Sequence, residues 1–192
     1  MIKNNIRRES YLKFLNTWKN RDLIKVLSGV RRSGKSTLLA MFQQDLKEQG
    51  VQDENIIAIN FEYMEFEELT DYRKLHDYVL SKVDKNKKNY VFLDEIQHVQ
   101  NFEKVVDSLY IRDYIDLYIT GSNAFFLSGE LATLLTGRYI EQHVLPLSFQ
   151  EFKQWHTENN PTIQQLSNRD LYAMYTRSSF PYTLAMTNQQ ET

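Results

Sequence analysis

The stretch Gly29-Val30-Arg31-Arg32-Ser33-Gly34-Lys35-Ser36-Thr37 decides how the rest of the chain is read. It follows the apolar run Leu23-Ile24-Lys25-Val26-Leu27 and precedes Leu38-Leu39-Ala40-Met41-Phe42, so the pattern is strand, glycine-bounded loop, helix. Gly29 and Gly34 permit backbone geometry closed to bulkier residues and let the main chain approach an anion. Successive N–H groups and the start of the helix supply partial positive charge. On this reading Lys35 reaches the outer phosphates of a nucleotide and Ser36 offers its hydroxyl to magnesium. Gly29, Arg32, Ser33, Gly34, Lys35, Ser36 and Thr37 form the expected nucleotide-binding set, for ATP or ADP.

Working outward, the chain of 192 residues, 42% hydrophobic, is long enough for one well-buried core and short for two full domains. A formal charge of -2 and a pI near 6.1 give no global footprint for nucleic acid or an anionic membrane, so DNA or RNA binding has no support from charge. The absence of cysteine excludes disulfides and thiolate metal sites. Met1 to Arg8 is basic but precedes no apolar signal region, and no run of 18 apolar residues occurs. The expectation is a cytoplasmic protein without a membrane partner.

Ahead of the loop, Ile6, Tyr11, Leu12, Phe14, Leu15 and Trp18 follow helical spacing. Tyr11 and Trp18 read as core aromatics in preference to adenine contacts. Behind it, Asn55 to Phe61 reads as a buried strand, and Tyr72 to Val83 as a helix with Leu75 and Val79 inward. Between them Glu62, Glu65, Glu67, Glu68 and Asp71 read as a solvated face rather than a metal cluster.

Tyr90-Val91-Phe92-Leu93 is a short apolar run of the kind found at the centre of a parallel sheet, and it ends in Asp94-Glu95. Carboxylates at that edge point into the crevice where open α/β sheets bind ligands. Asp94 is expected to position the magnesium and Glu95 to polarise the attacking water. A helix over Phe102–Tyr110 leads to a strand at Asp116–Ile119, ending in Thr120-Gly121-Ser122-Asn123. Ser122 and Asn123 are ordinary turn residues that could also hydrogen-bond the water or the terminal phosphate. A helical stretch within Leu127 to Thr136 closes at Gly137-Arg138, and Tyr139 to Val144 alternates as a fifth strand. By itself Arg138 is a helix-end cation. His98, a few residues after Asp94-Glu95, reads as a helix-start or surface histidine in preference to a site residue, and His76, His143 and His156 show no ligand spacing.

The order of parts resembles the AAA+ ATPases: a Walker A-like Gly29 to Thr37, a Walker B-like Val91-Phe92-Leu93-Asp94-Glu95, a sensor-like Gly121-Ser122-Asn123, and an arginine before the fifth strand. More narrowly, the segments GVRRSGKSTLL, FLDEIQHV, ITGSN, LTGRY and LPLSFQEF are similar to bacterial and archaeal AAA-domain proteins that continue into a C-terminal domain of unknown function. The resemblance covers roughly residues 5 to 155. It implies an α/β P-loop NTPase fold, a three-layer sandwich whose parallel five-stranded sheet has the order 5-1-4-3-2, followed by a short helical C-terminal segment. It also suggests Arg138 as an arginine finger acting on a neighbouring subunit, which makes a homo-oligomer the expected form of a longer protein.

Two domains are expected on this basis: residues 1–148 as the core with its leading helix, and residues 149–192 as the helical start of a truncated lid or winged-helix region. The chain reads as an N-terminal piece that lacks its C-terminal domain. Two functional classes follow. One is an ATP hydrolase that drives an attached domain or partner, and the other is a nucleotide-dependent switch or binding module with little turnover, for which fold analogy alone suggests nucleic acid as a partner.

Overall fold

In the computed structural model the residues described are 6–122, 135, 137–159, 166–177, 179–181 and 184. Helix α1 (Glu9–Trp18) leads into β1 (Ile24–Ser28), α2 (Lys35–Glu48) and β2 (Ile56–Asn60). Then come α3 (Tyr72–Lys82), β3 (Asn89–Asp94), α4 (Phe102–Tyr110), β4 (Ile115–Gly121), β5 (Tyr139–His143), α5 (Phe149–Asn159) and α6 (Asn168–Tyr175), with short 3-10 turns at Asp53–Asn55, Met64–Thr70 and Ile96–His98. The five strands are all parallel and lie in the order β2-β3-β4-β1-β5, the expected order read from the other edge. Asn123 and the expected helix before Gly137, apart from Leu135, lie outside the described residues.

Alternation along the strands builds the three layers. Ile24 and Val26 of β1, Val91 and Leu93 of β3, and Leu117 and Ile119 of β4 meet Leu75 and Val79 of α3 and Val105, Val106 and Leu109 of α4. On the other face Leu27, Tyr90, Phe92 and Tyr118 meet Leu12 and Leu15 of α1 and Leu38, Leu39, Phe42 and Leu46 of α2. The central strands β1, β3 and β4 are buried at every position, as parallel strands covered on both faces require. Tyr11 belongs to this second core layer, which is the packing role expected of it.

The acidic stretch after β2 is used locally. Glu62 pairs with Arg31, Glu68 with Lys74, and Asp71 caps α3 by accepting from the N–H groups of Arg73 and Lys74. Beyond the sheet, Leu147, Phe152, Trp155 and Leu184 form a separate small cluster that seats α5.

Candidate nucleotide site

β1 ends at Ser28, and the chain must turn sharply to start α2 on the same face. Gly29 makes that turn at φ +149°, where a Cβ would lie 2.3 Å from the Val144 carbonyl oxygen, so no larger residue fits without moving the backbone after β5. Arg32 (φ +69°) and Gly34 (φ +100°) complete a loop rich in left-handed geometry. Gly34 stands at the N-cap of α2 with no side chain to cap it, and the first helical bond runs from Leu38 N–H to Gly34 O. The first-turn amides of Lys35, Ser36 and Thr37 therefore have no acceptor within the helix and mark an anion-binding end.

Lys35 is buried, and its ammonium donates to Gly29 O at 3.1 Å and Val30 O at 3.4 Å. The same nitrogen is 3.3 Å from Glu95 Oε1, so the loop of β1 and the end of β3 meet at one ion pair. Glu95 itself sits at φ +58°, ψ +49°, an uncommon place for a residue with a side chain. Thr120 at the end of β4 holds it there by accepting from Glu95 N–H at 2.9 Å, and Gln97 donates to the other carboxylate oxygen.

Asp94 occupies the next position back. It accepts from the Thr120 hydroxyl, from Asn60 Nδ2 at 2.9 Å, and from Ser36. Burial raises its pKa above the ordinary carboxylate range, and the hydrogen bonds from Ser36 and Thr120 only partly offset that rise. A carboxylate so placed favours a cation beside it. Thr120 and Asn60 are absent from the set expected from sequence. The available signal was their place: each is the polar residue closing an apolar parallel strand, and the register sets Asn60 beside Asp94 and Ile119 beside Leu93.

The structure gathers Arg32, Gly34, Lys35, Ser36, Thr37 and Glu95 around one cavity of about 320 Å³, with Arg31, Glu62 and Pro181 completing its wall. Ser33 differs from its neighbours: it is fully buried, its N–H bonds to Val30 O, and its hydroxyl has no hydrogen-bond partner among the described residues. Ser122 is half-buried just past Gly121, which is in register with Ser28. Arg138 is not brought into this site. Its carbonyl receives Ile24 N–H at the opposite edge of the sheet, about 16 Å away along a five-residue strand, and its guanidinium pairs with Asp107 of α4 at 2.9 Å. Among the described residues no group of three or more His, Cys, Asp or Glu is placed to hold a metal ion by itself, and no helix is long and apolar enough to cross a membrane. His98 is exposed at the end of its 3-10 turn.

A parallel sheet of this order, with a glycine-bounded loop between β1 and α2 and an Asp-Glu pair closing β3, defines a P-loop NTPase α/β fold. Residues 21–153 match the family model described as AAA domain, and the chain belongs to that family, a nucleotide-binding, ATPase-like class. An uncharacterized protein of Haemophilus influenzae is 44% identical over 183 residues, which is 94% of this chain and 45% of that protein. The uncharacterized protein MJ1544 of Methanocaldococcus jannaschii is 38% identical over 141 residues, 71% of this chain and 29% of that protein. The chain thus spans less than half the length of either relative. Among solved structures, AMPPCP-bound DnaA from Aquifex aeolicus aligns over 96% of this chain and 61% of its own with a TM-score of 0.61 at 13% identity. The Walker-type ATPase paby2304 of Pyrococcus abyssi aligns over 94% and 67% with a TM-score of 0.60 at 16% identity. These likenesses bear on the fold.

Proposed function

We propose that this chain is the nucleotide-binding core of a magnesium-dependent ATPase whose ATP cycle drives or switches an attached domain or partner. The observation that carries the reading is the meeting of Lys35 and Glu95, 3.3 Å apart beside the uncapped start of α2. The amides of Lys35, Ser36 and Thr37 bind phosphate oxygens, and Lys35 supplies the charge for the outer phosphates. Glu95 is the carboxylate that takes a proton from the attacking water, and Ser122, just past the end of β4, and Asn123, next in sequence, serve as polar partners.

Magnesium fits the donor set. Ser36 and Asp94 are hard oxygen donors already bonded to each other, and burial leaves Asp94 in want of a cation. With one carboxylate directly at hand, the ion would share its remaining positions with phosphate oxygens and water. When bound it neutralises charge on the phosphates. Residues 1–148 act as the core and 149–192 as the start of a lid. Arg138, exposed at the far sheet edge, serves a neighbouring subunit, for which its planar fork is suited to phosphate.

The test uses two substitutions. In Lys35→Ala the stabilisation by ATP, about 2.7 kcal/mol at 100 times the dissociation constant, should vanish. Glu95→Gln should still bind ATP while phosphate release falls at least tenfold, within the usual range of about 100- to 10,000-fold for base catalysis. An undiminished thermal shift in the first variant, or normal turnover in the second, overturns the respective role. One observation favours the switch reading: Glu95 is engaged by both Lys35 and Gln97, which keeps the base occupied. Steady-state phosphate release, with and without candidate partners, separates the two.

A further inference from the structure

Arg8 belongs to none of the parts described so far, yet it is among the most fully engaged side chains in the structure. It lies just ahead of α1 and is only 4% exposed. Its Nε donates to Glu151 Oε1 at 2.8 Å and one terminal nitrogen to Glu151 Oε2 at 3.2 Å, a forked contact with α5. The other terminal nitrogen donates to Ser33 O at 3.2 Å, inside the phosphate loop, and to Leu145 O at 2.8 Å, in the connector after β5. The face of the guanidinium lies over the Tyr11 ring at 4.4 Å. One side chain therefore joins the phosphate loop, the connector, α1 and α5.

Glu151 is fixed at its own end. Ser148 and Glu151 form a reciprocal capping box, with Ser148 N–H to Glu151 Oε2 at 2.7 Å and Glu151 N–H to Ser148 Oγ at 3.2 Å. The carboxylate cannot follow Arg8 without disturbing the start of α5. The Ser33 carbonyl is equally constrained, since its residue is buried and its N–H is bonded to Val30 O. A second contact runs in parallel: Pro181, beyond α6, lies 3.5 Å from where a Cβ on Gly34 would be and lines the phosphate cavity. Ser33 and Gly34, adjacent at the helix end of the phosphate loop, thus touch Arg8, which is paired with α5, and Pro181, which lies beyond α6.

We propose that Arg8 is a positioning residue that ties the phosphate loop to α5, so that nucleotide occupancy at the loop and the placement of the C-terminal helical segment are linked. The proposal rests on the nucleotide reading above. Arginine is required because the two acceptors bind different nitrogens of one rigid fork. By linkage, an α5 held in place favours the loop geometry that binds nucleotide, and nucleotide favours the held α5 in equal measure.

The experiment is hydrogen exchange on the 192-residue chain with and without ATP and magnesium, together with the dissociation constant for ATP. Arg8→Ala is a poor probe because it leaves Glu151 and several carbonyls unpaired at once. Glu151→Gln is better: glutamine still completes the capping box but carries no charge for Arg8. In the wild type, ATP should slow exchange in both residues 29–37 and residues 149–159. In Glu151→Gln the slowing should persist at 29–37 and be lost at 149–159, with ATP bound about fivefold or more weakly, the lower end of ordinary coupling. Arg8→Lys, which keeps the charge without the fork, should shift both readouts the same way. A purely structural pair would lower stability equally with and without ATP and leave both readouts unchanged. That result, or no slowing at 149–159 in the wild type, overturns the tie. No slowing at 29–37 in the wild type instead overturns the nucleotide reading, and the linkage with it.

Discussion

Thr120→Val tests how the site holds its two acids. The substitution keeps the shape of a fully buried side chain and removes one hydroxyl, which donates to Asp94 and accepts from Glu95 N–H at 2.9 Å. Leaving that N–H buried and unpaired costs about 1–3 kcal/mol, and Asp94 loses one of three hydrogen bonds, a charged one. Because one hydroxyl makes both contacts the two costs overlap, and the added methyl returns about 0.8 kcal/mol. The expected loss is about 2–3 kcal/mol, which for a chain of this size lowers Tm by roughly 4–12 °C. Urea unfolding followed by tryptophan fluorescence measures it, with Thr120→Ser, which keeps the hydroxyl, as the near-neutral control. The loss also depends on pH with a definite sign. Burial already raises the Asp94 pKa, so the unfolded state releases this proton first and the folded state is disfavoured as pH rises through that interval. Without Thr120 the interval widens, so the stability gap between variant and wild type should be larger at pH 7 than at pH 4. A variant within about 0.5 kcal/mol of wild type, with a gap that does not change with pH, would refute the argument that Thr120 carries Asp94 and Glu95.

Two further outcomes follow from buried titratable groups. His156 is fully buried, neither ring nitrogen has a hydrogen-bond partner among the described residues, and burial lowers its pKa below the usual 6.5. The unfolded state therefore protonates first, and stability should fall as pH drops below about 6.5, by at most about 1.4 kcal/mol per pH unit; thermal melts of His156→Leu should lack this component. Asp116→Asn leaves the ammonium of Lys25 buried without its counterion, and urea unfolding should show a loss of about 3–5 kcal/mol.

What the sequence made legible depended on whether local pattern or register placed a residue. The glycines, Lys35 and the Asp94-Glu95 pair announce themselves because neighbouring residues specify strand, turn and helix. Thr120 and Asn60 do not, since each acquires its role only when the parallel register sets three strand ends side by side. Arg8 ends a basic segment that carries no motif, and only the return of the chain at Leu145 and Glu151 buries it. Element ends shifted for a related reason. Apolar spacing begins at Ile6, but α1 starts at Glu9 because Arg8 leaves helical geometry, at φ -94° and ψ 82°, while its side chain makes these long-range contacts.

The sheet carries a buried lysine–carboxylate pair at each end, and their surroundings argue for different work. Lys25 and Asp116, near the starts of β1 and β4, are enclosed, and the carboxylate also accepts from Tyr118 Oη at 2.8 Å and Asn20 N–H at 2.9 Å. Burial lowers the Lys25 pKa despite that partner; Asp116 borders a cavity of about 520 Å³, but Lys25 is not among its lining residues and the ammonium's hydrogen bonds go to Asp116 and Arg21 O, as a structural pair requires. Lys35 and Glu95, at the ends of the same sheet's neighbouring connections, border a cavity of about 320 Å³ beside an uncapped helix start. There Glu95 is held in left-handed backbone geometry that the fold stabilises from three sides, through Thr120, Gln97 and Lys35. Strain of about 1–3 kcal/mol persists only where the surroundings over-determine it. A pair that merely joined β1 to β3 would not require it. The open, strained pair is therefore the one that fits the proposed nucleotide site, and the other pair is the one that ties β1 to β4 at the opposite end of the sheet.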